Sequence, residues 1–286
     1  MPPVPIVDSH VHLWDPDKVE IPWLSNVPPI NVKRDLDDYA QATSGLDVQG
    51  LVYLQVEVAP PYALLEARDL VNLERSDKRV MGVVPWAPLE YGDKVRYFLE
   101  EIAAIGPEIK GIRRIVQDEP DPEFCLHPRY IEGTRALPDF GLTADLCCNF
   151  RQLGPTVELV RQCPNTQFIL DHIAKPNIRG GEMEPWASQM RDLASLPNVM
   201  CKISGVATEA NHDSWTIDEI RPYVMHALEV FGEDRVVFGS DWPVCTLATP
   251  YRRWVETLES LTADWSDSAK AKLWRQNAIR FYRLDA

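Results

Sequence analysis

No stretch of eighteen apolar residues occurs in the 286-residue chain, so no segment reads as a membrane-spanning helix. Basic residues are in deficit, 29 Lys and Arg against 43 Asp and Glu, for a net charge of −14. Such a surface repels phosphate backbones and anionic headgroups, so neither nucleic acid nor membrane is expected as a partner. The six cysteines (125, 147, 148, 163, 201 and 245) have neither CxxC spacing nor the density of a disulfide scaffold. They read as reduced, packed thiols of a cytoplasmic protein. The opening Met-Pro-Pro-Val-Pro-Ile-Val-Asp has neither the basic region nor the apolar stretch of a secretory signal. There is also no GxGxxG, no GxxxxGK[ST] and no GxSxG, and the nearest approach, Gly106 to Gly111, lacks the phosphate-binding lysine.

What is present is ordinary in amount and regular in order. Apolar residues make up 45% and charged residues 25%, the balance of a globular chain. At this length folding buries roughly 75% of the extended-chain surface, enough for a core without staples. Short apolar, β-branched runs at 4–7, 51–56, 80–84, 109–116, 142–146, 167–170, 199–203 and 236–238 read as strands buried on both faces. Amphipathic patterns alternate with them. Val95, Phe98, Leu99 and Ile102 form one stripe; Ile217, Ile220, Val224 and Leu228 form another, which Gly232 ends. A last helix over 268–282 carries Ala271, Trp274, Ala278 and Phe281 on one side. Eight strand–helix units in sequence predict an α/β fold, a (β/α)8 TIM barrel, as a single domain over 1–286. Three loops exceed what a βα turn needs, at 15–31 with Trp23, at 176–185 and at 207–216. All three follow strand ends and are expected to crowd one face.

In such a barrel, polar residues just past each strand converge on one mouth. These positions hold His10 and His12, Glu57, Arg113, Asp145, His172, Lys202 with Ser204, and Asp241. Alternation along a strand points the two imidazoles of His10-x-His12 the same way, toward one metal ion or one substrate oxygen; the plainer reading is a pair in a surface turn. Asp241 follows the apolar Val-Val-Phe and needs a partner there. It suits a general base or a metal ligand, the bland alternative being a helix N-cap. His172 serves the site or rests as a core histidine satisfied by a carbonyl. Glu57 divides evenly between a metal or substrate ligand and a structural ion pair. Arg113 and Arg114 alternate faces, so at most one enters the barrel, to grip a carboxylate or carbonyl or to partner Asp145. Lys202 supplies positive charge near the mouth or neutralises an acid. Trp14, Trp86 and Trp242 are placed to stack on a sugar or simply to pack. His127, His212 and His226 have no such placement.

Val-Asp-Ser-His-Val-His-Leu-Trp-Asp, Lys-Gly-Ile-Arg-Arg, Ile-Leu-Asp-His-Ile-Ala-Lys-Pro, Cys-Lys-Ile-Ser-Gly and Phe-Gly-Ser-Asp-Trp-Pro-Val occur in this order along the chain. In these motifs the chain resembles the amidohydrolase superfamily, in its amidohydrolase-2 branch, and most nearly the sugar lactonases of the L-fuconolactonase and L-rhamnonolactonase kind. The resemblance implies a barrel with His10, His12, His172 and Asp241 at its mouth. The arginines on strand four and Asp145 on strand five depart from the binuclear pattern and argue against two metals. One divalent ion, zinc, is admitted at His10 and His12, completed by Glu57, His172 or Asp241, and a metal-independent lactonase is admitted as well.

The expected reaction is hydrolysis of an aldonolactone, a small-molecule substrate. Asp241 would act as general base on water, with His172, Arg113 or a metal polarising the carbonyl and Trp14, Glu57, Lys202 and Trp242 binding substrate. The alternatives are a metal-dependent non-oxidative decarboxylase of an aromatic or muconate-type acid, and a non-catalytic binding barrel. A homo-oligomer is admitted but not specified.

Overall fold

Eight short apolar runs become eight parallel strands: β1 Ile6–Val11, β2 Val48–Leu54, β3 Val80–Val84, β4 Gly111–Arg113, β5 Thr143–Leu146, β6 Phe168–Leu170, β7 Val199–Ile203 and β8 Val236–Phe238. The computed structural model describes residue 2 and residues 4–285. The helices between and after the strands are α1 Leu36–Ala42, α2 Ala63–Ser76, α3 Val95–Ala103, α4 Pro128–Ala136, α5 Leu153–Gln162, α6 Trp186–Ala194, α7 Ile217–Phe231 and α8 Tyr251–Leu261. Hydrogen-bonded neighbours run β1-β2-β3 and β4-β5-β6-β7-β8, and two seams close the circle into a (β/α)8 barrel. At the first seam Lys110 N donates to Val83 O at 2.9 Å. The second seam joins the ends of β8 and β1, where His12 N donates to Trp242 O at 2.8 Å and Asp241 N donates to His10 O at 2.9 Å.

Two apolar masses hold the fold. The larger lies between strands and helices, and the stripes described above supply it: Val95, Leu99 and Ile102 of α3 are buried, as are Ile220, Val224 and Leu228 of α7. Thr216 and Glu219 cap α7 reciprocally, and Gly232 at φ 69° ends it. The smaller mass fills the barrel interior, where Val7, Val52, Leu54, Val84, Ile169, Met200 and Val237 meet Phe281, Tyr282 and Leu284 from the chain's last segment. That segment closes the lower end of the barrel. It is also less regular than its pattern suggests. Asp267–Ala271 and Asn277–Tyr282 are α-helical, and a π-helical turn, Lys272–Gln276, joins them.

Two other elements differ from expectation. β1 continues through Asp8, Ser9 and His10 instead of stopping at Val7, because each polar side chain finds a partner inside. Asp8 accepts from Ser240 N at 2.9 Å and from the Tyr39 hydroxyl at 3.0 Å, and Ser9 Oγ donates to Phe238 O at 2.6 Å. β4 is confined to three residues, since beyond Arg113 the chain leaves the ladder toward the mouth.

Candidate active site

Alternation along the strands puts Ile169 and Asp171, Met200 and Lys202, and Thr143 and Asp145 on common faces. The barrel interior therefore changes from apolar to ionic on the way up. In the ionic layer Lys202 Nζ lies 2.6 Å from Asp145 Oδ2 and 2.9 Å from Asp171 Oδ1. Tyr282 also donates to Asp145 at 2.6 Å. Arg113 Nη1 reaches Asp171 Oδ2 at 3.4 Å and His10 Nε2 at 3.1 Å, and its Nη2 donates to Gln55 O. One lysine cannot satisfy two carboxylates equally. Burial raises both acids, but Lys202 and His10 outweigh it at Asp171 and hold that carboxyl well below the usual range. At Asp145 burial prevails, and that carboxyl is raised.

Above this layer the ligand atoms converge. His10 Nε2 and His12 Nε2 are 3.1 Å apart, and Asp241 Oδ1 lies 3.6 Å from the first and 3.3 Å from the second. His172 Nε2 lies 3.8 Å from the same oxygen, while its Nδ1 meets Ser204 Oγ at 2.9 Å. His12 Nδ1 donates to Leu54 O at 2.8 Å, which leaves a lone pair on Nε2. Arg113 donates to His10 Nε2 at 3.1 Å, so the lone pair of that nitrogen is taken up by the guanidinium. The open lone pair of His12 and the Asp241 carboxylate oxygen thus face one another beside His10, a group that can hold a cation once Arg113 gives up His10 Nε2.

Burial lowers His10 and His12 and brings His172 down to about 4, so at neutral pH the three rings carry no charge. Burial pushes Asp241 the other way, but the imidazoles around it, His172 foremost, gain charge as the pH falls and hold its carboxyl far below the ordinary range.

The backbone here departs from regular geometry. Asp241 has φ 61° and Glu57 φ 54°, and His172, Ile173, Ala174 and Lys175 are all left-handed, at φ 53°, 47°, 60° and 44°. Each such non-glycine residue costs roughly 1–2 kcal/mol, so the surrounding structure must impose the turn. Trp186 Nε1 donates to Ile173 O at 2.8 Å, and Lys175 N closes onto His172 O at 2.8 Å. Gly205 completes the support, since a Cβ there would stand 2.5 Å from His172 Nδ1.

A cavity of about 170 Å³ opens on this cluster, lined by His12, Glu57, Arg113, His172, Lys175 and Asp241 among others. Burial works against the Lys175 charge, but the Glu209 and Asp241 carboxylates favour it, and the side chain stays a cation. Cys147 also lines the cavity, and burial pushes its thiol up to about 12, out of the range of a nucleophile. Of the three long loops, the first reaches the cavity through Trp23, while the other two bind each other, Arg179 N donating to Glu209 O at 3.1 Å.

The residues read from the sequence fall into two groups. His10, His12, His172, Arg113 and Asp241 come together, and Glu57 sits at the cavity rim outside the cluster of ligand atoms. Trp14, Lys202 and Trp242 do not face the cavity. Lys202 is sealed in the ionic layer, and Trp242 is buried edge-on against Tyr39. Trp14 donates to Ile30 O and Val32 O and lines a separate hollow of about 470 Å³ beside α1 and α2 that holds no histidine. Asp145 pairs with Lys202 rather than Arg113, and Arg114 points outside to Glu90 and Glu119. The helix-cap alternative for Asp241 does not apply, since the short helix that follows has no side-chain cap. Asp171 and Lys175 were not singled out in the sequence; their signal lies in the motif around His172, where two more charges flank it in an otherwise apolar run.

The donor set can be tested for a metal. Zinc held tetrahedrally at about 2.0–2.1 Å separates its ligand atoms by roughly 3.4 Å. The distances among His10, His12 and Asp241, 3.1 to 3.6 Å, fit that shape. Among the described residues His10, Asp171 and His172 form a second group of convergent ligand atoms, and no helix is long and apolar enough to cross a membrane.

The amidohydrolase family profile matches residues 7–284. An L-fucono-1,5-lactonase of Burkholderia ambifaria is 30% identical, the alignment covering 98% of this chain and 96% of that protein. An L-rhamnono-gamma-lactonase of Scheffersomyces stipitis is 22% identical with 98% of each covered. The crystal structure of an amidohydrolase from Burkholderia multivorans with bound zinc superposes with a TM-score of 0.89 at 26% identity, over 99% of this chain and 100% of that one.

Proposed function

Because this chain belongs to the amidohydrolase family, we propose that it hydrolyses a sugar lactone, an aldonolactone, to the free acid, with residues 1–286 acting as one catalytic domain. The observation that carries the reading is the Asp241 carboxylate, kept ionised and set among three neutral imidazoles on the wall of a cavity. A carboxylate so placed takes a proton from water as the oxygen attacks the ring carbonyl. Negative charge then develops on the carbonyl oxygen. The Lys175 cation is at hand to meet it, as is an Nε2–H of His172, which is the tautomer left when Ser204 donates to Nδ1. The ring C–O bond breaks as Asp241 returns its proton to the departing oxygen, giving the hydroxy acid. Arg113, bound to His10, Asp171 and Gln55 O, holds the first imidazole in place.

With Arg113 drawn off His10 Nε2, His10, His12 and Asp241 are the residues that would hold a divalent ion, zinc by their chemistry, and the ion would supply Lewis-acid polarisation of the carbonyl. The decarboxylase alternative wants an arginine free to grip a substrate carboxylate. Here Arg113 is committed to the ionic layer and Arg114 to Glu90 and Glu119, so neither is free.

The test is acid release across a panel of aldono-1,4- and 1,5-lactones, with elemental analysis of the same preparation and a chelated sample beside it. Turnover of at least one aldonolactone is expected. Carbon dioxide release from aromatic acids with no lactone opened would replace the reading.

A further inference from the structure

The catalytic cavity does not end at its rim. Glu57 and Trp23 also line a second hollow of about 420 Å³, whose walls continue through Trp86, Tyr91, Glu90 and Arg114. Small-molecule sites ordinarily measure roughly 300–1,000 Å³. The catalytic cavity alone, at about 170 Å³, is below that range, and the two hollows together are within it.

The second hollow is built to present ring faces. Trp23 is fixed by its Nε1 on Val56 O at 2.7 Å and packs edge-on to Trp14 at 5.6 Å. Trp86 is braced edge-on to Phe98 at 5.8 Å. Tyr91 is 61% exposed, an aromatic with little core to pack. Rigid aromatic faces stack on the C–H face of a sugar or on a planar ring at small cost in side-chain entropy. The charges choose between ligands. Arg114 is paired with Glu90 at 3.1 Å and Glu119 at 2.5 Å, so its charge is spent. Glu57 adds a carboxylate that makes no ion pair among the described residues. Such a groove accepts hydroxyl hydrogens and repels carboxylates, phosphates and sulfonates.

Resting on the lactonase reading, we propose that the substrate is an aldonolactone carrying a second, neutral sugar ring. The lactone seats against Asp241 and His172, the glycosyl ring lies between Trp86 and Tyr91, and Glu57 accepts hydroxyls at the junction. The glycosidic link is not cut; only the lactone C–O bond breaks.

The test compares kcat/KM for 4-O- and 6-O-glycosyl aldonolactones with that for the parent monosaccharide lactones, by acid release from the full-length chain. A glycosyl substrate is expected to be preferred by about ten-fold or more, from stacking worth roughly 1 kcal/mol per ring. Tyr91→Ala, which removes an exposed ring, and Trp86→Ala should each erase about five-fold of that preference while the parent lactone is unaffected. Equal kcat/KM for both substrates overturns the proposal and leaves the lactonase reading standing. Preference for an alkyl- or aryl-extended lactone overturns it too. If no lactone is opened, the lactonase reading falls, and calorimetry with the mono- and disaccharide aldonic acids judges the groove separately: a disaccharide acid bound no tighter overturns it.

Discussion

The ionic layer and the mouth of the barrel both gather ionisable side chains at adjoining levels of one interior, yet they are finished differently. In the layer, Lys202, Asp145 and Asp171 stand on or at the end of regular strands, and short contacts compensate each charge. At the mouth, His172, Asp241 and Glu57 stand on left-handed backbone, and the His12 lone pair and the Asp241 oxygen face one another across 3.3 Å. Burial does not distinguish His172 and Asp241 from the layer, since all are nearly solvent-free, and only Glu57 at the rim is half-buried. Unmet acceptors and imposed backbone geometry do. The layer is a foundation and the mouth is a tool, so substitutions should divide accordingly into losses of stability and losses of rate.

Asp241→Asn offers the largest expected effect. With Asp241 as the proposed base, its loss should lower kcat for lactone opening by about 10³-fold, with the urea midpoint little changed. Lys202→Met probes the opposite side. It leaves buried Asp145 without a cation and Asp171 with Arg113 alone, and should cost about 3–5 kcal/mol in denaturant unfolding. If Lys202→Met instead abolished turnover at full stability, the division would fail.

Glu66 on α2 gives a pH test away from both regions. Its Oε1 accepts from the Tyr53 hydroxyl at 2.6 Å and Val56 N at 2.8 Å, and burial lifts the carboxyl from 4.5 to about 7. Because the folded group binds its proton more tightly than the unfolded one, stability is full below about 4.5 and falls as pH rises through about 7. The loss should reach roughly 3 kcal/mol at pH 8, and Glu66→Gln should remove that slope in a series of melts. The smallest effect is expected from Ser204→Ala, which frees the orientation of His172. It should reduce kcat by about ten-fold with stability within about 1 kcal/mol, and an unchanged rate would show that the serine does not hold the ring.

Legibility in the sequence followed the same division. The limits of β3, β7 and β8 can be read off directly, because apolar runs bounded by polar turns have few other ways to fold. β1 extends further than its apolar run, since the partners that satisfy Asp8 and Ser9 include Ser240 and Phe238, more than 200 positions away. The gathering of His10, His12, His172, Arg113 and Asp241 is legible from strand-end positions alone. Which charges face the cavity and which lie beneath it is not: Lys202 and Lys175 both end apolar runs, and only three-dimensional packing sends one down and the other up. The left-handed turn at His172 is equally hidden, because no glycine marks it and its enforcement comes from Trp186 and Gly205.

The seam between the ends of β8 and β1 carries one more consequence. The backbone groups that complete the ring of strands belong to His10, His12, Asp241 and Trp242, so joining the first strand to the last and assembling the reactive cluster are a single event. A partly zipped molecule has no imperfect version of the site to work with. Competence should therefore arrive all at once during maturation, and the return of turnover would report when the circle shuts.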